Sequence, residues 1–79
     1  MEILTVFGER LKQLRNERRI YQREMGDLLG VTHGHYQKIE RGDINISIST
    51  LCTLADYFCV STDYLLGRSD KRKKPKKFP

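Results

Sequence analysis

The side chains with the greatest chemical reach in this sequence crowd into one stretch: Gln22, Arg23, Thr32, His33, His35, Gln37, Lys38 and Glu40. Two imidazoles so close together raise the question of a metal. Residues two apart on a helix project about 200° from each other, which disfavours a shared ion. Cys52 and Cys59 have no CxxC neighbour and read as buried, reduced thiols, not as ligands or a disulfide. No Ser/His/Asp or Cys/His set has supporting context, no glycine-rich loop follows a strand, and no carboxylate pair flanks a cleft. Glu24, Asp27 and Glu40 read as helix-surface or pairing charges. The expectation is a chain that is not an enzyme, with no metal, no cofactor and no evident small-molecule ligand.

Groups of this kind must be held by helices, and the apolar spacing supplies them. Phe7, Leu11 and Leu14 make one stripe of a helix from about Thr5, a potential cap, to Arg18. A second helix runs from Tyr21 to Leu29 with Met25, Leu28 and Leu29 inward, and Gly30 stops it as a left-handed residue. Thr32 caps a third through Arg41, with Tyr36 and Ile39 inward and Gly42 at its end. Asp43 to Ser47 reads as a loop; the alternation of Ile44, Ile46 and Ile48 leaves an edge strand open there. Ser47 caps a fourth helix whose inward face is Ile48, Leu51, Leu54, Ala55 and Phe58. Ser61 caps a short fifth with Tyr64, Leu65 and Leu66, closed by Gly67. The fold class is all-α, with five helices.

Seventy-nine residues suffice for one small domain and leave no room for a separate sensor domain. No apolar run approaches the roughly 20 residues that cross a bilayer, and Met1-Glu-Ile-Leu-Thr lacks the basic start of a signal peptide. A cytoplasmic setting without membrane contact follows. The net charge of +5 is unevenly placed. Lys71, Arg72, Lys73, Lys74, Lys76 and Lys77 hold six of the fifteen bases, so residues 1–70 carry nine bases against ten acids. The chain thus divides into a domain over 1–67 and a basic, unstructured tail over 68–79, either simply solvated or a loose phosphate-binding arm.

Two short helices joined by a tight turn that opens with glycine make a helix-turn-helix. Gly34, on the face opposite Tyr36 and Ile39, leaves backbone bare toward whatever the third helix meets. Leu11-Lys-Gln-Leu-Arg15, Gln22, Gly30-Val-Thr, Lys38-Ile-Glu-Arg-Gly42, Leu54-Ala-Asp and Val60-Ser-Thr-Asp-Tyr-Leu-Leu66 occur in order. On these motifs residues 7–67 resemble the phage-repressor and Cro-type helix-turn-helix family, the xenobiotic-response-element class of bacterial regulators. The resemblance implies a compact repressor-like domain that binds double-stranded DNA as a homodimer, with its third helix in the major groove. Gln22 then matches a position that grips a phosphate at a helix amino end. His33, Gly34 and Lys38 match base-facing positions, with Thr32, His35 and Gln37 at the phosphate or groove margin. Arg15 and Glu40 match the pair that ties the first helix to the end of the third.

Other readings stand beside these. His33 and His35 are either idle surface groups or groove contacts that bind more tightly below about pH 6.5. Arg10, Arg18, Arg19 and Arg23 are solvated helix faces, or, for Arg23, a phosphate contact. Tyr57, Phe58, Tyr64 and Leu65 are core, with an exposed subset as a dimer seam. Tyr36 needs an acceptor for its hydroxyl; Cys59 stands where the family places a left-handed glycine. Asp43 to Ser49 contains no Lys or Arg, although in the family this loop lies along the phosphates. That absence motivates an alternative, a helix-turn-helix scaffold serving as a protein-interaction module, antitoxin-like or antirepressor-like.

Overall fold

The computed structural model, which describes residues 3–73, resolves the apolar pattern into α1 (Ile3–Glu17), α2 (Gln22–Leu29), α3 (His33–Arg41), α4 (Ile48–Phe58) and α5 (Thr62–Leu65). No strand forms among the described residues. Three hydroxyls open helices as expected: Thr32, Ser47 and Ser61 accept from the backbone N–H groups of His35, Thr50 and Tyr64 at 3.1, 3.1 and 3.0 Å. Thr5 is not a cap, because α1 already starts at Ile3. Before α2 the reciprocal contact works instead, with the Glu24 carboxylate accepting from the Tyr21 N–H at 2.8 Å.

Each helix is followed by a left-handed residue. Gly30, Gly42 and Gly67 do this with φ of 69°, 77° and 77°. Arg19 and Cys59 do it with φ of 56° each, a conformation that costs a Cβ-bearing residue about 1–2 kcal/mol. What holds them there is the closing hydrogen bond one residue later, from Ile20 N–H to the Arg15 carbonyl at 3.1 Å and from Val60 N–H to the Ala55 carbonyl at 2.9 Å.

Phe7, Leu11, Leu14, Met25, Tyr36, Ile39, Leu54, Ala55, Phe58, Val60, Tyr64 and Leu65 form one core. Leu28 and Ile48 do not join it. Leu29, one turn after Met25, takes the partly buried place, which turns Leu28 about 100° outward; Ile48 opens α4 ahead of its inward stripe and is 80% exposed. Both cysteines are also exposed, contrary to the buried thiols expected. Cys52 lies about 200° around α4 from buried Leu54, and Cys59 is the outward-turned stop residue. Tyr57 is 39% exposed and stacks edge-on against buried Phe58.

α1 lies against α3 so closely that Gly8 has no substitute: a Cβ there would sit 2.8 Å from the Glu40 carbonyl carbon. At Gly26 a Cβ would meet the Val31 carbonyl oxygen at 3.0 Å, so it is the turn, not the body of α3, that crowds this glycine.

The ordered structure continues past residue 67. Arg10 donates to the carbonyls of Tyr64 and Ser69, both at 2.7 Å, pairs with Asp70 at 2.9 Å, and lies over the Tyr64 ring. Arg72 forks onto Glu17 at 2.8 and 2.7 Å, and the Ser61 N–H donates to the Arg72 carbonyl. Residues 68–73 are thus a strap across α1 and α5, and Arg10 is part of its seat instead of a solvated group. The rest of the basic tail lies outside the described residues.

Candidate nucleic-acid interface

The exposed side of α3 is anchored from beneath by a buried cluster. Arg15 on α1 donates to Glu40 twice, Nε to Oε2 at 2.6 Å and Nη2 to Oε1 at 3.2 Å, and its Nη1 reaches the Ile20 carbonyl at 2.8 Å. The Tyr36 hydroxyl donates to the same Oε2 at 2.6 Å, and Gln22 Nε2 donates to Oε1 at 3.1 Å. Burial alone would raise the Glu40 pKa, but the donors Arg15, Tyr36 and Gln22 together hold it below the ordinary carboxylate range. The Tyr36 hydroxyl is pushed upward by burial and by its bond to Glu40. Hydrogen bonding to Glu40 raises Arg15. The expected Arg15–Glu40 pair is therefore present and ionised. Tyr36 finds its acceptor one helical turn away on its own helix, a spacing of four that was visible in the sequence.

Gln22 carries this cluster to the surface. Its Oε1 accepts from Gln37 Nε2 at 3.3 Å and lies 3.3 Å from His33 Nε2. Three of the residues expected at the site, Gln22, His33 and Gln37, thus meet in one hydrogen-bonded group with Glu40 behind it. Thr32, His33, Gly34, His35 and Lys38 are all exposed. A Cβ on Gly34 would meet nothing within 4 Å, so its backbone is bare. Arg23 is exposed on α2 and lines a hollow with Arg15, Tyr21, Gln22, Glu24 and His33.

The loop after α3 offers less. Asn45 Oδ1 accepts from the Ile46 N–H at 2.8 Å, and Ser47 Oγ caps α4 while lying 3.0 Å from Ser49 Oγ. Arg41, unremarked among the sequence's site residues, is the cation adjoining this loop, and it pairs with Asp43 at 3.1 Å with both groups exposed. Arg18 is not idle either. Its guanidinium donates to the Tyr57 and Phe58 carbonyls at 3.0 and 3.1 Å, satisfying the carboxyl end of α4. No sequence spacing announced that contact, which joins positions forty residues apart. Among the described residues, no group of three or more His, Cys, Asp or Glu is placed to hold a metal ion.

A family model described as helix-turn-helix matches residues 11–65. The chain is 43% identical over 61 residues to the SPbeta prophage-derived uncharacterized HTH-type transcriptional regulator YonR of Bacillus subtilis (strain 168), covering 77% of this chain and 56% of that one. It is 35% identical over 68 residues to the uncharacterized HTH-type transcriptional regulator YqaE of the same organism, covering 85% and 59%. Against the HTH-type transcriptional regulator ImmR, also from Bacillus subtilis (strain 168), identity is 34% over 67 residues, covering 85% and 53%. The chain therefore spans little more than half the length of these curated relatives. No solved structure matches it significantly.

Proposed function

Because the chain belongs to the phage-repressor and Cro-type helix-turn-helix family, a class of regulators and not of enzymes, we propose that it is a sequence-specific binder of double-stranded DNA that represses transcription. The observation that carries this reading is the free side of α3: His33, Gly34, His35 and Lys38 exposed, with the Gln22–Gln37 amides beside them, on a helix bolted to α1 through Glu40. Lys38 donates to guanine O6 and N7 or to a phosphate, Gln37 serves adenine, and Gln22, Arg23, Thr32 and His35 hold the backbone. Two copies on a two-fold operator place their α3 helices about 34 Å apart, in successive major grooves. In support of pairing, exposed Ile3 and Ile48 flank one groove with Leu4, Ile46, Leu51 and Leu66, an apolar patch of the kind that a second copy covers. The binding domain is the helical unit up to residue 67 with the 68–73 strap packed on it, and the basic residues after the Arg72–Glu17 pair add sequence-independent attraction to phosphates. No described helix is long and apolar enough to cross a membrane; the proposed setting is the cytoplasm, where the operator is.

The deciding experiment selects bound duplexes from a random pool, then follows retention as salt rises for the full chain and for a chain ending at residue 73. A recovered two-fold motif, bound by both chains with a shallower salt slope for the shorter one, supports the reading. Binding with no sequence preference that vanishes with the tail points instead to a protein-interaction module, which the cation-free loop over 43–49 would suit.

A further inference from the structure

The partners of Gln22 decide more than its own position. A carboxylate only accepts, so the Gln22 group facing Glu40 Oε1 at 3.1 Å is its NH2, and Oε1 is thereby turned toward α3. That oxygen takes one hydrogen bond from Gln37 Nε2 and has one lone pair left for His33 Nε2, 3.3 Å away. An oxygen cannot donate, so the proton of neutral His33 belongs on Nε2. The tautomer follows from the network. Nδ1 is then a bare acceptor, with no partner among the described residues, on the first residue of the exposed helix.

We propose that His33 reads a base-edge amine, N6 of adenine or N4 of cytosine, through Nδ1, and that protonation inverts this preference toward the guanine acceptors. Only adenine and cytosine offer a donor in the major groove, whereas guanine N7 and O6 accept. A second proton on the ring makes Nδ1 a donor and leaves the bond to Gln22 unchanged. The charged and titratable groups around the ring are Arg15 of α1, Tyr21, Arg23 and Glu24 at the start of α2, and Glu40 through Gln22, with His35 and Lys38 on α3 itself. This inference rests on the DNA-binding reading above.

The test selects sites with the full chain at about pH 8 and about pH 5.5, and repeats the selection with His33→Ala and Gln22→Met. Folding is monitored by circular dichroism throughout. At the higher pH one position should favour adenine or cytosine over guanine by about 2- to 10-fold, as befits a single neutral hydrogen bond, and at the lower pH that ratio should fall or reverse there alone. His33→Ala should erase the preference at that position and keep the others. Gln22→Met, which removes the oxygen that sets the tautomer, should bring the amine-over-guanine ratio near one. A guanine preference at the higher pH, or a ratio unmoved by pH and by Gln22→Met, overturns the proposal while leaving a sequence-specific binder. Absence of any selected motif overturns both.

Discussion

Glu40→Gln is the change that bears most directly on how α3 is held. The wild-type carboxylate accepts four hydrogen bonds from three side chains, two of them at 2.6 Å, and its side chain is 3% exposed. An amide of the same shape accepts through one oxygen only. Its NH2 must then face a donor, Arg15 Nε and the Tyr36 hydroxyl on one side or Arg15 Nη2 and the Gln22 amide on the other. Arg15, itself buried, is left without a counter-charge. Removing one partner of such a pair costs about 3–5 kcal/mol, a large share of the roughly 5–15 kcal/mol that a native domain holds in total. Replacing the whole cluster with apolar groups of similar volume (Arg15→Met, Tyr36→Phe, Glu40→Leu) removes the orphaned charge and should recover most of that loss. Urea denaturation at neutral pH reads both. A loss below about 1 kcal/mol for Glu40→Gln would mean that Arg15 is not stranded by losing its counter-charge, and a triple variant no more stable than the single one would mean that the loss does not come from an orphaned charge; either result refutes the reasoning. The pH dependence has a definite sign. Glu40 lies below its unfolded value, so its contribution is complete above that value, about 4.3, and is lost as the pH falls through its folded value. Wild-type stability should therefore drop in acid below about pH 4.3, and Glu40→Gln should flatten that limb.

Gly8→Ala should destabilise by about 1–3 kcal/mol despite the better helix propensity of alanine, because the new methyl meets the Glu40 backbone and α1 must lift from α3; a stabilised variant in thermal melts would contradict the close crossing. Cys59→Gly should stabilise by a few tenths to about 1 kcal/mol, the relief of the left-handed conformation less the entropy of glycine in the unfolded chain. Lys38→Ala should remove discrimination at one base position and leave binding to random duplex nearly intact, measured by competition between the selected site and random DNA; equal loss on both would mean that Lys38 meets phosphate only. Ending the chain at residue 67 should lower the melting temperature by a few degrees relative to a chain ending at residue 73, through loss of the Arg10–Asp70 and Arg72–Glu17 contacts.

Much of this molecule is legible along one dimension. The five helices, the hydroxyl caps at Thr32, Ser47 and Ser61, and the glycine stops at 30, 42 and 67 follow from signals a few residues long, because caps, turns and the 3.6-residue stripe are local physics. The family motif supplied Arg15 with Glu40 as well. What the tertiary structure alone decided depends on groups far apart in the chain. Gly8 is required by a backbone that arrives thirty-two residues later, and Arg10 and Arg18 are recruited by segments that no spacing links to them. Cys52 differs from buried Leu54 on α4 by rotation about the helix axis, and Ile48 from buried Ala55 on the same face by lying at the helix's first turn, so the neighbouring helices settled their exposure. Arg19 adopts a glycine's conformation because the packing of α1 demands the turn there and its closing hydrogen bond holds it. Local preference set where the helices run; long-range packing chose which side of each is covered, and so which residues of α3 remain free.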